Sequence, residues 1–498
     1  MFKYNKYLSI PVLAVILAAS GCKKDYLETK PTDAASSSTA FTTTTNAMVV
    51  LNGIHRLLYS QHYGQQDEGG QSANMIYSDM MGEDLVCPTT GNGWFITTYR
   101  WTAHRAATGT VPYFNYAFYY EIIGNANSII ANIDNAAGTT ADKNLIKGEA
   151  LCYRAWSYFQ MIQLYGKRYV AGDPNSSLGV PLVLTTDNKP RPRATVAEVY
   201  AQINTDLDNA ITVLGAATAR ANKSHQNLSV AQGLKARVAL AQQNWALAAT
   251  MAASARTGYT LMSTAAQYLA GFNDYTNSEW MWGSFQQADQ TSYFYSYFAF
   301  MSADFNSTNI RTNPKCINST LYNSMSATDI RRQVWDPTGT NTAFPVPPGG
   351  VRAAYMNRKF LIKPSGGGLS IGDVPLMRAS EMYLIEAEAR ARQGGQDAAA
   401  QTALFNLVSK RDPNYVLSTN TGAALINEIM MHRRIELWGE GFRFYDLKRL
   451  DLPLDRTGAN HVPAVAVTFN IPAGDKQWQF LIPQSEINAN PLVVQNEL

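Results

Sequence analysis

The chain is poor in residues that build covalent or metal-held frameworks. Its 498 residues include four cysteines, at 22, 87, 152 and 316, and six histidines, at 55, 62, 104, 225, 432 and 461. The cysteines lack paired spacing, so neither a disulfide framework nor a zinc finger is expected, with the pairing state of Cys87 and Cys316 left open. Cys152 falls on an apolar helical face and reads as a buried thiol. The histidines show no metal-ligand spacing, and no metal or cofactor is expected. An excess of charge is also missing. Of 41 basic and 38 acidic residues, two lysines fall within residues 1–21, leaving 39 against 38. Such a balance gives no electrostatic footprint for nucleic acid. Neither a Walker-type Gly-rich loop nor a His-Glu-x-x-His pair occurs.

What is present begins with a leader. Lys3 and Lys6 precede an apolar run from Leu8 to Ala19, broken only by Ser9 and Pro11. Basic start, short apolar centre and small residues before a cut are what secretion reads. The run is too short to span a bilayer, which takes about 20 apolar residues. Ser20 and Gly21 lead into Cys22, as in bacterial lipoprotein leaders, although Ala19 stands where leucine is preferred. Residues 1–21 are therefore expected to be a lipoprotein signal peptide, with Cys22 the lipid attachment site holding the chain to a membrane. Residues 22–45, rich in Thr, Ser, Ala and Pro, read as a flexible tether.

The body of the chain, 46–498, is dominated by helical periodicity. Leu145, Gly148, Cys152, Ala155, Phe159 and Ile162 recur at three- and four-residue intervals. Thr195 and Glu198 spell a capping box ahead of Val196, Tyr200, Ile203, Leu207, Ala210 and Leu214. Ala231–Ala241 and Trp245–Ala252 flank a turn at 242–244. Leu376, Tyr383, Leu384, Ala387 and Ala391 mark another helix, with Glu388 and Arg392 an i,i+4 pair. A further helix runs from Asp397 to Lys410. The expected fold class is mainly α: tetratricopeptide-like helical hairpins interrupted by long irregular insertions at about 60–115 and 258–375. Aromatics crowd the second insertion, with twelve of the 34 residues between Phe272 and Phe305 against a chain average of 11%. Loops this long and this aromatic are expected to carry function.

Two stretches carry a family resemblance. Arg378-Ala379-Ser380-Glu381-Met382-Tyr383-Leu384-Ile385-Glu386-Ala387-Glu388-Ala389 and the run Arg433–Arg449 resemble the two most characteristic segments of the SusD/RagB family of Bacteroidetes outer-membrane lipoproteins. Cys22-Lys23-Lys24-Asp25-Tyr26-Leu27 and a helix over 46–59 resemble that family too. The resemblance implies a tetratricopeptide-type core with an irregular ligand-binding subdomain. It implies a non-catalytic protein that holds a glycan, or less often a peptide, over a SusC-like TonB-dependent transporter. It also implies a lipid-anchored place on the outer membrane, facing outward. The Arg433–Arg449 charges read as scaffolding, since partnered buried charges more often organise a fold than do chemistry.

Sugar rings lie flat on aromatic faces and meet polar groups at their rims. Candidate ligand-binding residues are therefore Asn92, Trp94, Tyr99 and Trp101 in the first insertion. In the second they are Trp282, Tyr293 and Tyr295, with Asp79 and Asp84 as a polar rim. Alternation over 293–300 suggests an extended segment exposing Tyr293, Tyr295 and Tyr297 and burying Phe294 and Phe298. Trp156, Trp245 and Trp438 read as core. The alternatives are a lipoprotein glycoside hydrolase, for which Asp79, Glu83 and Asp84 are the available carboxylates, and a helical-repeat scaffold or peptide-binding lipoprotein.

Overall fold

A computed structural model describes residues 37–290 and 294–498. The signal peptide, Cys22, most of the tether and Tyr293 lie outside the described residues. Ser37–Ala40 form one helical turn, and the Thr43 hydroxyl caps the helix Thr44–Leu57 by accepting the Asn46 N–H.

Five helices follow in a stack, each packed on the next: Thr110–Asn132, Thr140–Tyr165, Val196–Leu214, Leu228–Ala241 and Trp245–Ala255. The stack resumes after residue 378, where Ala379–Gln393 packs on Trp245–Ala255 and then on Asp397–Val408 and Gly422–Glu436. The mainly helical, hairpin-built class expected from sequence is the one observed. Local chemistry explains the starts. Thr195 and Glu198 form the reciprocal capping box, with Val196, Tyr200, Ile203, Leu207, Ala210 and Leu214 buried behind it. Small residues set the spacing: Gly148 faces Leu214 with no room for a Cβ, and Ala248, Ala249 and Ala252 are buried. The Glu388–Arg392 pair forms at 2.8 Å. Leu376, however, is not helical. It lies in the strand Pro375–Arg378, which pairs antiparallel with Trp280–Gly283, and the helix starts only at Ala379.

The two insertions are stitched to each other. Leu85–Val86 pairs with Cys316–Ile317, which pairs with Met356–Asn357, which pairs with Trp335–Asp336, all antiparallel. Cys87, Cys152 and Cys316 are buried free thiols. Tyr297–Met301 is a helical turn rather than an extended strand, because Ser296 caps it by accepting the Ala299 N–H at 3.1 Å. A helical turn destroys the two-residue alternation. Tyr297 and Phe298 are both fully buried and Phe294 is 41% exposed, the reverse of the expected pattern for Phe294 and Tyr297.

The charges of the second motif meet beneath these loops. Arg378 binds Glu279, Glu436 and Glu440 at 2.5, 3.0 and 2.6 Å. Arg411 binds Glu279 and Glu436 at 2.8 and 2.9 Å, and Arg331 binds Asp329 and Glu436 at 2.7 and 3.2 Å. Lys359 reaches Glu440 at 2.7 Å and the carbonyls of Glu436 and Trp438. Burial alone would raise the Glu436 carboxyl, but Arg411, Arg378 and Arg331 hold it well below the usual carboxylate range. Gly439 and Gly441, at φ +80° and +82°, turn the chain at this knot.

Candidate ligand-binding surface

Most of the rings expected at a binding face are inside. Tyr99 is fully buried, its hydroxyl 2.5 Å from His461 Nδ1 and its ring under Arg456. Trp101 donates its indole N–H to the Met81 carbonyl at 3.0 Å and meets Trp478 edge-on at 4.7 Å. Trp282 is 1% exposed, wedged against Trp156 and Tyr153, and donates to the Ser224 carbonyl. These three are corrected from ligand contacts to core: each polar tip finds a protein partner, and each ring fills space between the helices and the loops. Trp156 and Trp438 are buried as expected, and Trp245 is half-buried.

The acidic rim is also internal. Asp84 is bound by Arg434 at 2.5 Å and lies 3.5 Å from Arg443, and Glu83 is bound by Arg443. Burial would raise the Asp84 carboxyl, but Arg434 and Arg443 hold it down. Asp79 accepts the Gly441 N–H at 2.8 Å, and burial pushes its carboxyl up to about 7 against that hydrogen bond. Asp79 and Asp84 therefore tie the first insertion to the 433–449 motif and do not ring a cleft.

Three candidates stay at the surface. Asn92 is exposed and donates to Asn309 Oδ1 at 2.5 Å, while Trp94 and Tyr295 are half-buried. Among the described residues the aromatic side chains that stand exposed are Tyr63, Tyr113 and Phe294, at 49%, 40% and 41%. Tyr63 and Tyr113 form an edge-to-face pair at 5.0 Å. Further along the first insertion, Gly69 packs against the Tyr295 backbone, whose carbonyl a Cβ there would strike. The ring contacts Phe114–Tyr77, Tyr77–Phe95 and Phe95–Phe300 lead to the Trp94 loop. Tyr63 and Phe95 sit at φ +46° and +63°, a left-handed backbone that bulky residues adopt at a cost of order 1 kcal/mol and that clusters at functional sites. Beside Asn92, Asn309 Nδ2, Arg311 Nε and Asn313 Oδ1 are shielded and make no hydrogen bond. Sequence reading passed over Tyr63 and Tyr113. The signal available was Tyr63 next to Gly64 in a polar stretch, and Tyr113 at the start of a helix whose other rings point inward.

The stretch Gly368-Leu369-Ser370-Ile371-Gly372 has the spelling of a hydrolase nucleophile elbow. Ser370 is fully buried in irregular chain, without the strand-to-helix turn that exposes such a serine.

The comparisons fit this architecture. Residues 240–498 match the model of the SusD family, and residues 25–240 match a SusD-like model described as starch-binding, associating with the outer membrane. The chain belongs to the SusD family. SusD-like solved structures agree along nearly the whole chain. A SusD-like carbohydrate binding protein from Bacteroides vulgatus is 26% identical with a TM-score of 0.78, over 91% of this chain and 98% of its own. A SusD superfamily protein from Bacteroides thetaiotaomicron is 26% identical with a TM-score of 0.76, over 92% and 100%. A putative sugar binding protein from B. vulgatus is 25% identical with a TM-score of 0.75, over 92% and 99%. No curated protein matches the chain. Among the described residues no helix is long and apolar enough to cross a membrane.

Proposed function

We propose that this SusD family protein binds an oligo- or polysaccharide at the cell surface without transforming it and delivers it to a SusC-like TonB-dependent transporter. In this reading Cys22 carries the lipid that anchors it to the outer membrane, facing outward. The observation that carries the binding role is the exposed edge-to-face pair of Tyr63 and Tyr113, with Phe294 exposed and Trp94 and Tyr295 half-buried in the insertions. Rings held rigidly at a surface offer stacking area at low entropy cost, and the neighbouring asparagines offer hydrogen bonds to hydroxyls. The hydrolase alternative loses support because Glu83 and Asp84 are occupied by Arg443 and Arg434.

Native gels containing polysaccharides test this. Migration should slow on a matching glycan, and Tyr63→Ala with Tyr113→Ala should restore it. Release of reducing ends from the same panel would establish an enzyme instead. Absence of retardation across a broad panel, with peptide binding in its place, would favour the peptide reading. Cys22→Ala should free the protein from membranes, and co-purification with a TonB-dependent receptor would identify the partner.

A further inference from the structure

Two histidines 170 residues apart in sequence, with a glutamate from a third segment, converge in the helical body. His55 comes from the helix Thr44–Leu57, Glu149 from Thr140–Tyr165, and His225 from the turn before Leu228–Ala241. His55 Nε2 lies 3.1 Å from His225 Nδ1, His225 Nδ1 lies 3.0 Å from Glu149 Oε1, and His55 Nε2 lies 3.5 Å from Glu149 Oε2. We propose that His55, Glu149 and His225 form a binding site for one divalent transition-metal ion of the zinc type, through His55 Nε2, His225 Nδ1 and the Glu149 carboxylate.

Four features of the geometry support this. First, a tetrahedral ion bound at about 2.0–2.1 Å sets its ligand atoms roughly 3.3 Å apart, close to the separations found here, where the two histidines approach different oxygens of the Glu149 carboxylate. Second, the donor set of two imidazoles and one carboxylate suits zinc, whereas calcium and magnesium favour oxygen ligands. Third, the outer partners that orient metal ligands are in place. His55 Nδ1 lies 2.5 Å from the Tyr153 hydroxyl, and Glu149 Oε2 accepts the Gln226 N–H at 2.9 Å. Glu149 and Tyr153 stand one helical turn apart, so a single helix supplies both a ligand and the group that orients another ligand. Fourth, His55 and His225 form part of the wall of a recess of about 450 Å³, together with Asn52, Arg56, Ser284 and Phe285. That recess gives an ion a route from solvent and leaves space for a fourth ligand, a water or an oxygen or nitrogen of a bound molecule. The chain spacing of the three residues hides all of this, because the helical stack alone brings them together.

The test uses the mature, untagged protein stripped with a chelator. Zinc competition against a chromophoric chelator should show one equivalent bound with micromolar affinity or better, and cobalt should give the intense visible bands of a four-coordinate site. His55→Gln and His225→Gln should each weaken binding at least tenfold with an unchanged circular dichroism spectrum. Tyr153→Phe should weaken it by about tenfold through loss of the outer partner. Should both histidine variants misfold, the stoichiometry and cobalt spectrum of the unaltered chain decide alone. No stoichiometric ion, or full affinity retained in folded His55→Gln and His225→Gln, overturns the proposal. Glycan retention by the stripped protein is measured separately, so either idea can fail without the other.

Discussion

The charged motif at 433–449 reads from sequence as buried or half-buried scaffolding, and the aromatic run at 272–305 as rings partly outside. The fold buries most of both. Glu436, Glu440, Arg443 and Asp446 of the motif are buried, as are Arg378, Arg411 and Arg331, which meet Glu436 from outside it, and Trp280, Trp282, Tyr297, Phe298 and Phe300 are buried as well. The difference lies in what each needs once inside. The charges are tolerable only as a closed set, each guanidinium facing two or more acceptors, whereas the rings need only shape and one partner for each polar tip. Of the three exposed rings, Phe294 comes from the aromatic run, and Tyr63 and Tyr113 come from neither conspicuous stretch.

Breaking the charge set should produce the largest effect. Glu436→Ala takes one carboxylate from each of Arg331, Arg378 and Arg411 and leaves the buried set with an excess of positive charge, and is expected to cost about 3–5 kcal/mol, read as a fall in the urea midpoint. An unchanged midpoint would mean that the knot is dispensable. Trp282→Ala, on the aromatic side, should cost about 3–5 kcal/mol through the cavity it leaves, without removing a ligand contact. Selective loss of glycan retention at full stability would return Trp282 to the binding face.

Acid should sharpen the comparison next. Burial holds His104 and His432 down to about 3 and His461 to about 4. Their folded values lie below the unfolded value, so stability is full above about 6.5 and is lost as pH falls toward those values. Asp79 and Glu68, raised to about 7, and Asp373, raised to about 6, act in the opposite sense over the same range. One histidine can be isolated by difference: relative to the unaltered protein, His432→Gln should remove a share of stability loss between about pH 6.5 and 4, so its melting temperature falls less or rises more over that window. The smallest effect on stability is expected at the surface. Trp94→Ala should change stability by under about 1 kcal/mol and reduce glycan affinity by about tenfold, some 1.4 kcal/mol. Calorimetric binding beside a thermal melt separates the two.

The scaffold was legible because its signals are local. The Thr195–Glu198 box, the alanine faces and the Gly439/Gly441 break are each readable within a few residues, and each forms. The surface was not, because exposure of a ring is decided by what lands on it from elsewhere. Trp101 is covered by Trp478, and Tyr99 by His461 and Arg456. The Ser296 cap shows the same failure at short range, since one hydroxyl outweighs an alternating pattern of rings. His55, Glu149 and His225 are the extreme case, a convergence to which no spacing rule applies.

The charge knot has a consequence for modularity. Its members come from loop residues 279, 329, 331 and 359 as well as from the strand, helix and turn residues 378, 411, 436 and 440. Excising 258–375, or transplanting it onto another helical stack, would sever the Glu279–Arg378, Glu279–Arg411, Arg331–Glu436 and Lys359–Glu440 pairs. The insertion is thus no detachable cassette: it is expected to melt with the helices that share its ion pairs.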